Sequence, residues 1–350
     1  MTYMPVSIMK DMENQNNQKT QNEHYVPRCY LNAFAKKNGK EYRFFVFDKL
    51  KNEVRHGNVS KYASERYFYD VDFKKLLEMR KMEDPDCEIP LAQELFANKV
   101  EEQYLEHFFR DYVEGTLFRS VSRIKTTFLM ANPKMLYDMQ VLTDEQMEQV
   151  ATYIMFQILR TKEERLFLND LQEKNAKVFA KFVGLTKGID NLEDEVDVVW
   201  KSNDHKKLLH FQMIMDKEFQ NTILAEIMKM IWIVGVNETG MPFYTSDIAA
   251  IRKGYEGASG FACRGLEITF PITPRLVLML REPEYFHKDA HLHNRFFRLS
   301  KHIVEYINEL QVTRSYRYTF CIEDNFSLAK NLIRKYPDLQ KIDYDRVLTT

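Results

Sequence analysis

Tyr42-Arg43-Phe44-Phe45-Val46-Phe47-Asp48 is dense in residues that favour β-strands, and turn residues follow it at Asn52 and Gly57-Asn58. This pattern predicts a strand or hairpin near the start of the chain. Short β-rich runs return in the last third, at residues 232–236, 243–245, 265–270, 275–280 and 316–322. Strands at both ends around a helical middle predict an α+β fold, in which short strands from the N- and C-terminal parts form one sheet.

The middle of the chain has helical periodicity. Apolar residues recur at three- and four-residue steps between 91 and 124 and again between 206 and 231. Thr143 and Gln146 have the spacing of a capping box, which predicts a helix that begins there and runs to about residue 182. A further helix is predicted from about 291 to 312.

Length and composition indicate enough apolar material for a large core. The chain has 350 residues, of which 45% are hydrophobic and 13% aromatic. We interpret residues 1–21 as a flexible arm, 22–325 as a single large α+β domain and 326–350 as a C-terminal tail. Gly184, Gly188 and the acidic run after them indicate a lobe junction near 184–205.

The charge of the chain is balanced overall and uneven locally. A formal net charge of −1 gives no global attraction to nucleic acid or anionic lipid. Between Arg28 and Arg66, however, there are ten Lys/Arg against four Asp/Glu, with aromatic residues interleaved. Residues 28–66 are therefore a candidate nucleic-acid-binding segment, although alternating aromatics are also the ordinary core of a strand.

The chain has no recognisable export or membrane signal. Its four cysteines are far apart in sequence and form no CxxC pair, and no stretch of about 20 apolar residues occurs. Residues 1–23 contain no apolar signal-peptide core. We therefore expect a cytoplasmic protein with no membrane partner.

The segment His24-Tyr25-Val26-Pro27 is the first candidate site. Pro27 fixes its own φ and directs Val26 toward an extended conformation, which holds the His24 imidazole in a defined direction. A rigid histidine suits a general base or a metal ligand. The alternative is a structural histidine that is hydrogen-bonded to the backbone.

Several short motifs occur in a fixed order along the chain. They are His24-Tyr25-Val26-Pro27, Tyr30-Leu31, Phe34-Ala35, Phe47-Asp48-Lys49, Glu65 with Phe68-Tyr69, Gln157 with Arg160-Thr161, Phe243-Tyr244-Thr245-Ser246-Asp247, Phe270-Pro271 with Thr273-Pro274, and Asn308. Over roughly residues 22–325 this set resembles the bacterial family called domain of unknown function 4238. The resemblance implies a shared fold and a shared HxxP segment but no known activity. Where the family usually has Asn-Pro after Thr-Ser-Asp, this chain has Ile248-Ala249, which changes the expected turn.

A pair of glutamates on a predicted helix is the second candidate. Glu106 and Glu114 are eight residues apart, which places them about 80° apart around an α-helix. Glu114 is then able to point into a shared site as an acid or a carboxylate ligand. Alternatively, Arg110 lies four residues from each and joins them in a ladder of ion pairs.

Two more sets of polar residues complete the candidates. Gln157, Arg160 and Thr161 share a face of the second long predicted helix, where Arg160 either clamps a phosphate or carboxylate or pairs with an acidic residue. Ser246-Asp247 follows a predicted strand. Asp247 is placed to bind a metal or to orient His24, and equally to form a cap or turn.

These residues support two hypotheses of function. The first is a hydrolase, a metal-assisted nuclease acting on nucleic-acid phosphodiesters, with His24 as base, Glu114 and Asp247 as metal-binding or orienting carboxylates, and Arg160, Gln157 and Ser246 binding substrate. The cofactor of this reading is a divalent metal ion, which no motif identifies. The second is a non-catalytic sensor or scaffold in a bacterial defence or stress pathway, in which the same polar residues form a buried network that stabilises the fold.

Overall fold

The computed structural model describes residues 19–83, 97, 100–189, 191–192 and 202–341. The predicted arm at 1–21 therefore lies largely outside the described residues, as do Cys87 and residues 190 and 193–201 of the predicted lobe junction at 184–205. The α-helices in the described ranges are α1 (Arg28–Leu31), α2 (Phe73–Glu83), α3 (Tyr104–Phe108), α4 (Phe118–Met130), α5 (Asp144–Leu159), α6 (Lys162–Lys187), α7 (Asn203–Met215), α8 (Lys217–Lys229), α9 (Lys301–Arg314) and α10 (Ser327–Lys335). A π-helical segment, Phe109–Leu117, joins α3 to α4.

The strands of the described chain form three sheets. The strands are β1 (Asn22–His24), β2 (Lys36–Asn38), β3 (Glu41–Asp48), β4 (Glu53–Asn58), β5 (Ser64–Arg66), β6 (Ile231–Val236), β7 (Thr245–Ser246), β8 (Ile251–Gly254), β9 (Leu266–Thr273), β10 (Leu276–Arg281), β11 (Arg295–Arg298) and β12 (Tyr318–Cys321). β1 and β5 form a two-stranded sheet, and a second sheet has the order β11-β6-β10-β9-β8. In the third sheet the order is β2-β3-β12-β7, with β4 on β3.

The third sheet joins the two ends of the chain. β12 pairs antiparallel with β3, so that Phe320 lies opposite Val46, and β12 also pairs with β7. The central strand β3 is the aromatic stretch at residues 42–48, and its Phe44, Val46 and Phe47 are buried. The predicted α+β class, with a helical middle and with strands from both ends meeting in one sheet, is confirmed.

The second sheet forms the floor of the main core. Every residue of β6 and of β9 is buried. A strand that is covered on both faces need not alternate, and β6 is an unbroken apolar run, whereas β9 also includes Glu267 and two threonines. The core runs from Tyr25 to Phe320 and includes α5, which packs against α8. No helix in the described ranges is both long enough and apolar enough to cross a bilayer.

Two sequence predictions about helices are corrected by the structure. The helix predicted from Thr143 has its capping box, but it ends at Leu159, and α6 begins at Lys162. The predicted helix at 291–312 begins only at Lys301, because residues 295–298 extend as β11 beside β6. The predicted tail contains α10, whose Ala329, Leu332 and Ile333 are buried.

Candidate functional site

The break between α5 and α6 places Arg160. Thr161 has an extended backbone with ψ 157°, and its hydroxyl accepts a hydrogen bond from the backbone N–H of Glu164 at 3.3 Å, so Thr161 is the N-cap of α6. Arg160 is the C-cap of α5. Gln157, Arg160 and Thr161 therefore do not share one helix face, because a helix boundary separates them.

The side chain of Arg160 is fully buried and contacts four residues from three other segments of the chain. Its Nε donates to the hydroxyl of Tyr69 at 3.2 Å and one terminal nitrogen donates to Glu114 Oε1 at 3.0 Å. The other terminal nitrogen donates to the backbone carbonyl of His24 at 2.5 Å, and the guanidinium lies 4.1 Å from the ring centroid of Phe109. A buried guanidinium is tolerated when its N–H groups and its charge have partners, and these contacts supply acceptors for three of its five N–H groups and a carboxylate for its charge.

Glu114 reaches Arg160 from the π-helical segment. Here the backbone is wider than an α-helix, so the angle of about 80° predicted between Glu106 and Glu114 does not apply. π-Helical turns are frequent at functional sites. The Arg110 guanidinium donates to Asp111 at 2.7 and 3.0 Å, while Glu114 pairs with Arg160. The pairing in the described chain is thus different from the predicted Arg110 ladder.

The carboxyl group of Glu106 has a raised pKa. Burial raises its pKa to about 7; among the nearby charges Arg160 lowers it and Glu114 raises it. Glu114 itself keeps 24% of its side chain exposed. Near neutral pH Glu106 is therefore both a proton donor and a proton acceptor, beside a carboxylate that water can reach.

The HxxP segment forms the turn from β1 into α1. β1 ends at His24 and Pro27 is the N-cap of α1. The His24 Nε2 atom is buried and has no hydrogen-bond partner. Burial, followed by the charges of Arg28 and Arg160, lowers the pKa of His24 to about 4, so the ring is neutral at physiological pH. We call His24, Glu106, Glu114 and Arg160 the Arg160 centre.

Two further side chains of α5 face the HxxP turn. Gln157 donates from Nε2 to the backbone carbonyl of Tyr25 at 3.3 Å, while its Oε1 has no partner. Tyr153 lies one helical turn earlier and its buried hydroxyl also has no partner. Burial, with Cys29 and Glu114 nearby, raises the pKa of Tyr153 well above its usual value. Unpaired buried polar atoms are rare in folded proteins, and those of His24, Tyr153 and Gln157 lie close to Arg160, while others in the described chain lie elsewhere.

Asp247 and Ser246 lie in a different network. Asp247 accepts hydrogen bonds from the backbone N–H groups of Tyr316, Arg317 and Tyr318 at 2.7–2.8 Å. Burial raises its pKa, and these backbone hydrogen bonds lower it. The carboxylate therefore holds the segment that enters β12 beside β7.

Ser246 organises the turn that follows β7. Its hydroxyl contacts Gln311 Oε1 at 2.7 Å and the carbonyl of Ile248 at 2.9 Å, and it accepts from the N–H of Ile248 at 3.2 Å. This side chain closes the turn at Ile248-Ala249. No hydrogen bond or ion pair in the described chain joins Ser246 or Asp247 to His24, Glu114 or Arg160.

The described part of the chain contains no preformed set of metal ligands. No group of three or more His, Cys, Asp or Glu side chains there is arranged to hold a metal ion. The segment at 28–66 has exposed basic side chains at Lys36, Lys37 and Lys40, but its aromatic residues Phe44 and Phe47 are buried in the sheet. The surface of this segment therefore offers charge to a nucleic acid but not those two rings for base stacking.

A second carboxyl pair lies next to the Arg160 centre. Glu23 is fully buried beside Asp70, and Gln103 Nε2 donates to both carboxyl groups at 3.0 Å. The N–H of Tyr69 also donates to Glu23 at 2.5 Å. Burial and the neighbouring Asp70 carboxyl raise the pKa of Glu23 to about 9, so Glu23 is protonated at neutral pH.

This raised pKa predicts a pH-dependent stability. Between the ordinary glutamate pKa and about 9, folded Glu23 keeps a proton that the unfolded chain releases, so stability falls as pH rises. We expect Glu23→Gln to flatten the loss of unfolding free energy between pH 5 and pH 9, a loss of up to about 1.4 kcal/mol per pH unit from this group. Denaturant unfolding across that range measures it. The control Glu102→Gln changes an exposed carboxylate, and equal slopes in all three proteins would contradict the expectation.

Sequence reasoning found part of this site and missed the rest. The structure brings together Arg160, Glu114 and the His24 backbone and places Gln157 beside them, while Asp247 and Ser246 serve another network. Glu106 was considered only as the partner of Glu114. Tyr153 was missed, although it precedes Gln157 by four residues, the spacing that puts two side chains on one helix face.

The fold and site define an α+β protein built around a buried arginine–carboxylate centre. A family model described as "Protein of unknown function (DUF4238)" matches residues 22–323. The chain belongs to this family, as its ordered motifs predicted. The match includes the HxxP turn, the Arg160 centre and the sheet that joins the two ends. No curated protein and no solved structure is significantly similar to the chain.

Proposed function

We propose that this chain is a hydrolase that acts by acid–base catalysis on an anionic substrate, with nucleic-acid phosphodiesters as the substrate class and the Arg160 centre as the active site. The observation that supports this most is the Glu106 carboxyl, whose pKa is raised to about 7 beside a buried arginine–carboxylate pair. A catalytic acid is most effective when its pKa lies near the operating pH. Strongly perturbed pKa values also concentrate at functional sites.

The proposed reaction divides the proton transfers between His24 and Glu106. As water attacks phosphorus and the new P–O bond forms, His24 Nε2 accepts the proton of the water. As the ester bond breaks, the Glu106 carboxyl donates its proton to the leaving oxygen. Arg160 contributes positive charge beside the phosphoryl oxygens. His24 as base and Arg160 as the positive charge are the roles expected from the sequence, whereas the acid is now Glu106 instead of Glu114.

The charges around His24 support an anionic substrate. In the free protein Arg28 and Arg160 both lower the pKa of His24. A bound anion offsets their charge, which raises the pKa of the ring and makes it a better base. The exposed lysines within residues 36–40 are proposed to contact further phosphates of the nucleic-acid substrate.

The proposed reaction does not use the divalent metal ion that the sequence analysis considered. Asp247, one of its two expected carboxylate ligands, already accepts three backbone N–H groups. Glu114 is paired with Arg160. The residues present do not fit a preformed metal centre, so every step is assigned to side chains of the chain itself.

A second candidate function is supported by a different observation. The hydrogen bonds of Arg160 and Asp247 include four to backbone atoms, which is the pattern of residues that hold a fold together. A non-catalytic sensor or scaffold would use these side chains in this way. It requires no turnover and no role for the ionisation of Glu106.

Glu106→Gln distinguishes the two functions. We expect the wild type to hydrolyse labelled DNA or RNA, or a chromogenic phosphodiester, and the variant to lose about 100-fold or more in kcat with an unchanged fold. The rate of the wild type should fall as pH rises through about 7, because Glu106 must be protonated to act as the acid. That limb of the profile should be absent in the variant.

The control for this experiment is Glu148→Gln, which changes an exposed carboxylate on α5. It should keep the activity and the pH profile of the wild type. Absence of turnover by the pure wild type on all these substrates would contradict the hydrolase. Equal activity of wild type and Glu106→Gln would remove Glu106 as the acid. A variant that changes only the melting temperature would favour the scaffold.

A further inference from the structure

Arg165 and Lys207 form a pair of cations that contacts no carboxylate in the described chain. Arg165 lies in the first turn of α6, and Lys207 lies on α7, which packs against α6. Both side chains contact the same short segment. The Arg165 guanidinium lies 3.6 Å from the ring centroid of Phe68, and Lys207 Nζ donates to the backbone carbonyl of Tyr67 at 2.6 Å. Two positive charges therefore lie close together beside neutral groups.

The hydrogen bonds of Arg165 leave most of its donors unused. Its Nε and one terminal nitrogen both approach Nδ1 of His210, at 3.1 and 3.0 Å, and so share one acceptor lone pair. His210 Nε2 lies 2.7 Å from the carbonyl of Leu159, so this nitrogen carries the proton. Burial and the charge of Arg165 hold the pKa of His210 well below its usual value, so the ring is neutral. Three of the five N–H groups of Arg165 thus have no acceptor among the residues that the structure describes.

The carboxyl groups nearest to this pair are engaged elsewhere. Four of them raise the pKa of Arg165 or Lys207 through their charge: Glu65, which pairs with Lys162 at 2.8 Å, Asp70, which pairs with Lys19 at 3.2 Å, Asp204, which pairs with Lys75 at 3.2 Å, and Glu23, which is protonated at neutral pH. Burial nevertheless lowers the pKa of Arg165 to about 10. Burial, and then the charge of Arg165, also lowers the pKa of Lys207. Both side chains therefore lack the counter-ion that a buried cation normally has.

The unused donors are accessible to a ligand. The second terminal nitrogen of Arg165 is not among the fully buried polar atoms of the described chain, and Lys207 is partly exposed. Tyr67 has a φ of 50°, in the left-handed region that residues with a side chain rarely adopt. Its carbonyl accepts from Lys207 in this conformation, which keeps the ammonium group beside the guanidinium. Backbone strain of this kind is concentrated at functional sites.

The number of unused donors and their charge favour a phosphate group over a carboxylate. Toward the described residues Arg165 has three free N–H groups and Lys207 has two, and together the side chains carry two positive charges. A phosphate group brings a charge of about −1.5 to −2 at neutral pH and three acceptor oxygens. A carboxylate brings a single charge and two oxygens. A guanidinium also binds phosphate oxygens through two parallel hydrogen bonds.

We propose that Arg165 and Lys207 form a binding site for a phosphate group, carried by free phosphate or by a small phosphorylated molecule. The phosphate oxygens accept hydrogen bonds from both side chains, and the ligand supplies the counter-ion that the pair lacks. His210 and the Phe68 ring hold the guanidinium in position. The site uses none of the four residues of the Arg160 centre, so the proposal is independent of the hydrolase.

Isothermal titration calorimetry of the full chain with inorganic phosphate, at constant ionic strength, tests the proposal. We expect saturable binding at a single site, and binding of acetate at least about tenfold weaker. Lys207→Met should weaken the binding of phosphate about tenfold or more, because it removes a charged donor. Arg165→Met should weaken it at least as much. Neither variant deprives a carboxylate of its partner, so both should fold, as circular dichroism would show.

A parallel titration with glycerol phosphate identifies the source of the phosphate group. Tighter binding than that of inorganic phosphate would assign the site to a phosphorylated small molecule. Weaker binding would assign it to the free ion.

The matched control is Lys217→Met. Lys217 is also partly exposed and also donates to a neutral oxygen, Oε1 of Gln220 at 3.3 Å. This variant should bind phosphate as the wild type does. Absence of wild-type binding, equal affinity for acetate, unchanged affinity in Lys207→Met and Arg165→Met, or equal loss in the control would each overturn the proposal. Binding that occurs only after amides replace the acidic side chains would overturn it in favour of the chain's own acidic run, Glu193, Asp194, Glu195 and Asp197.

Discussion

Replacement of Arg160 by methionine is expected to lower the free energy of unfolding by about 3 kcal/mol, the lower end of the range for breaking a buried ion pair. Methionine has a similar length but leaves Glu114, the Tyr69 hydroxyl and the His24 carbonyl without their donor. The lower end applies because 24% of the Glu114 side chain is exposed, so water can solvate it in part. Urea unfolding of the wild type and the variant measures the difference.

A double-mutant cycle separates the ion pair from the packing. Glu114→Gln keeps an oxygen that can accept from Arg160, so we expect it to cost less than the loss of the arginine. The combination Arg160→Met/Glu114→Leu removes both charges and should recover part of the stability lost in Arg160→Met; Glu114→Leu alone is the second single variant of the cycle. Arg123→Met, on an exposed position of α4, should stay within about 0.5 kcal/mol of the wild type. Simple additivity of the two single changes would show that Arg160 and Glu114 are not coupled.

Asp247→Ala is expected to destabilise the protein by about 3–5 kcal/mol. The carboxylate accepts three backbone N–H groups at the entry to β12, and alanine leaves all three without an acceptor. An unsatisfied buried donor costs about 1–3 kcal/mol, and hydrogen bonds to a charged group are among the stronger ones. The sheet that joins the chain ends should loosen first, which hydrogen exchange at β12 and β7 would detect.

The same variant tests the interpretation of Asp247 as a site residue. Asp324→Ala, in an exposed position after β12, is the control and should have almost no effect on stability. If Asp247→Ala folded as stably as the wild type but lost an activity that the wild type has, the residue would be part of a site rather than a support for β12. Loss of stability as large as in Arg160→Met would establish two independent supports of the fold.

The Arg160 centre and the carboxyl pair of Glu23 and Asp70 lie on two sides of the same short segment. Arg160 binds the carbonyl of His24, and Gln103 contacts the carboxyl of the preceding residue, Glu23. Tyr69 links them, because its hydroxyl accepts from Arg160 and its N–H donates to Glu23. The carboxyl pair and the Arg160 centre are therefore connected through Tyr69 to the same segment of the chain.

Local sequence patterns predicted the elements that depend on neighbours in the chain. The aromatic stretch at 42–48 became the central strand β3, and Thr143 with Gln146 formed the predicted capping box. Such patterns failed to predict element boundaries where a tertiary contact or a single capping residue determines where a helix begins or ends. Thr161 interrupts the helix although the apolar residues before and after it have helical periodicity. Residues 295–298 form a strand because they pair with the edge of β6. No periodicity distinguishes these cases.

The sequence by itself determined the α+β class, the meeting of the chain ends in one sheet and the family, because these depend on composition, periodicity and the order of motifs. Only the tertiary structure decided which polar residues meet. Arg160, Glu114 and His24 come from three distant segments, and their contacts depend on a helix break and a π-helical segment. The pKa of Glu106 was equally invisible, since burial and charges from other elements set it. Sequence spacing reports which side chains share an element, whereas a site depends on the packing of elements against one another.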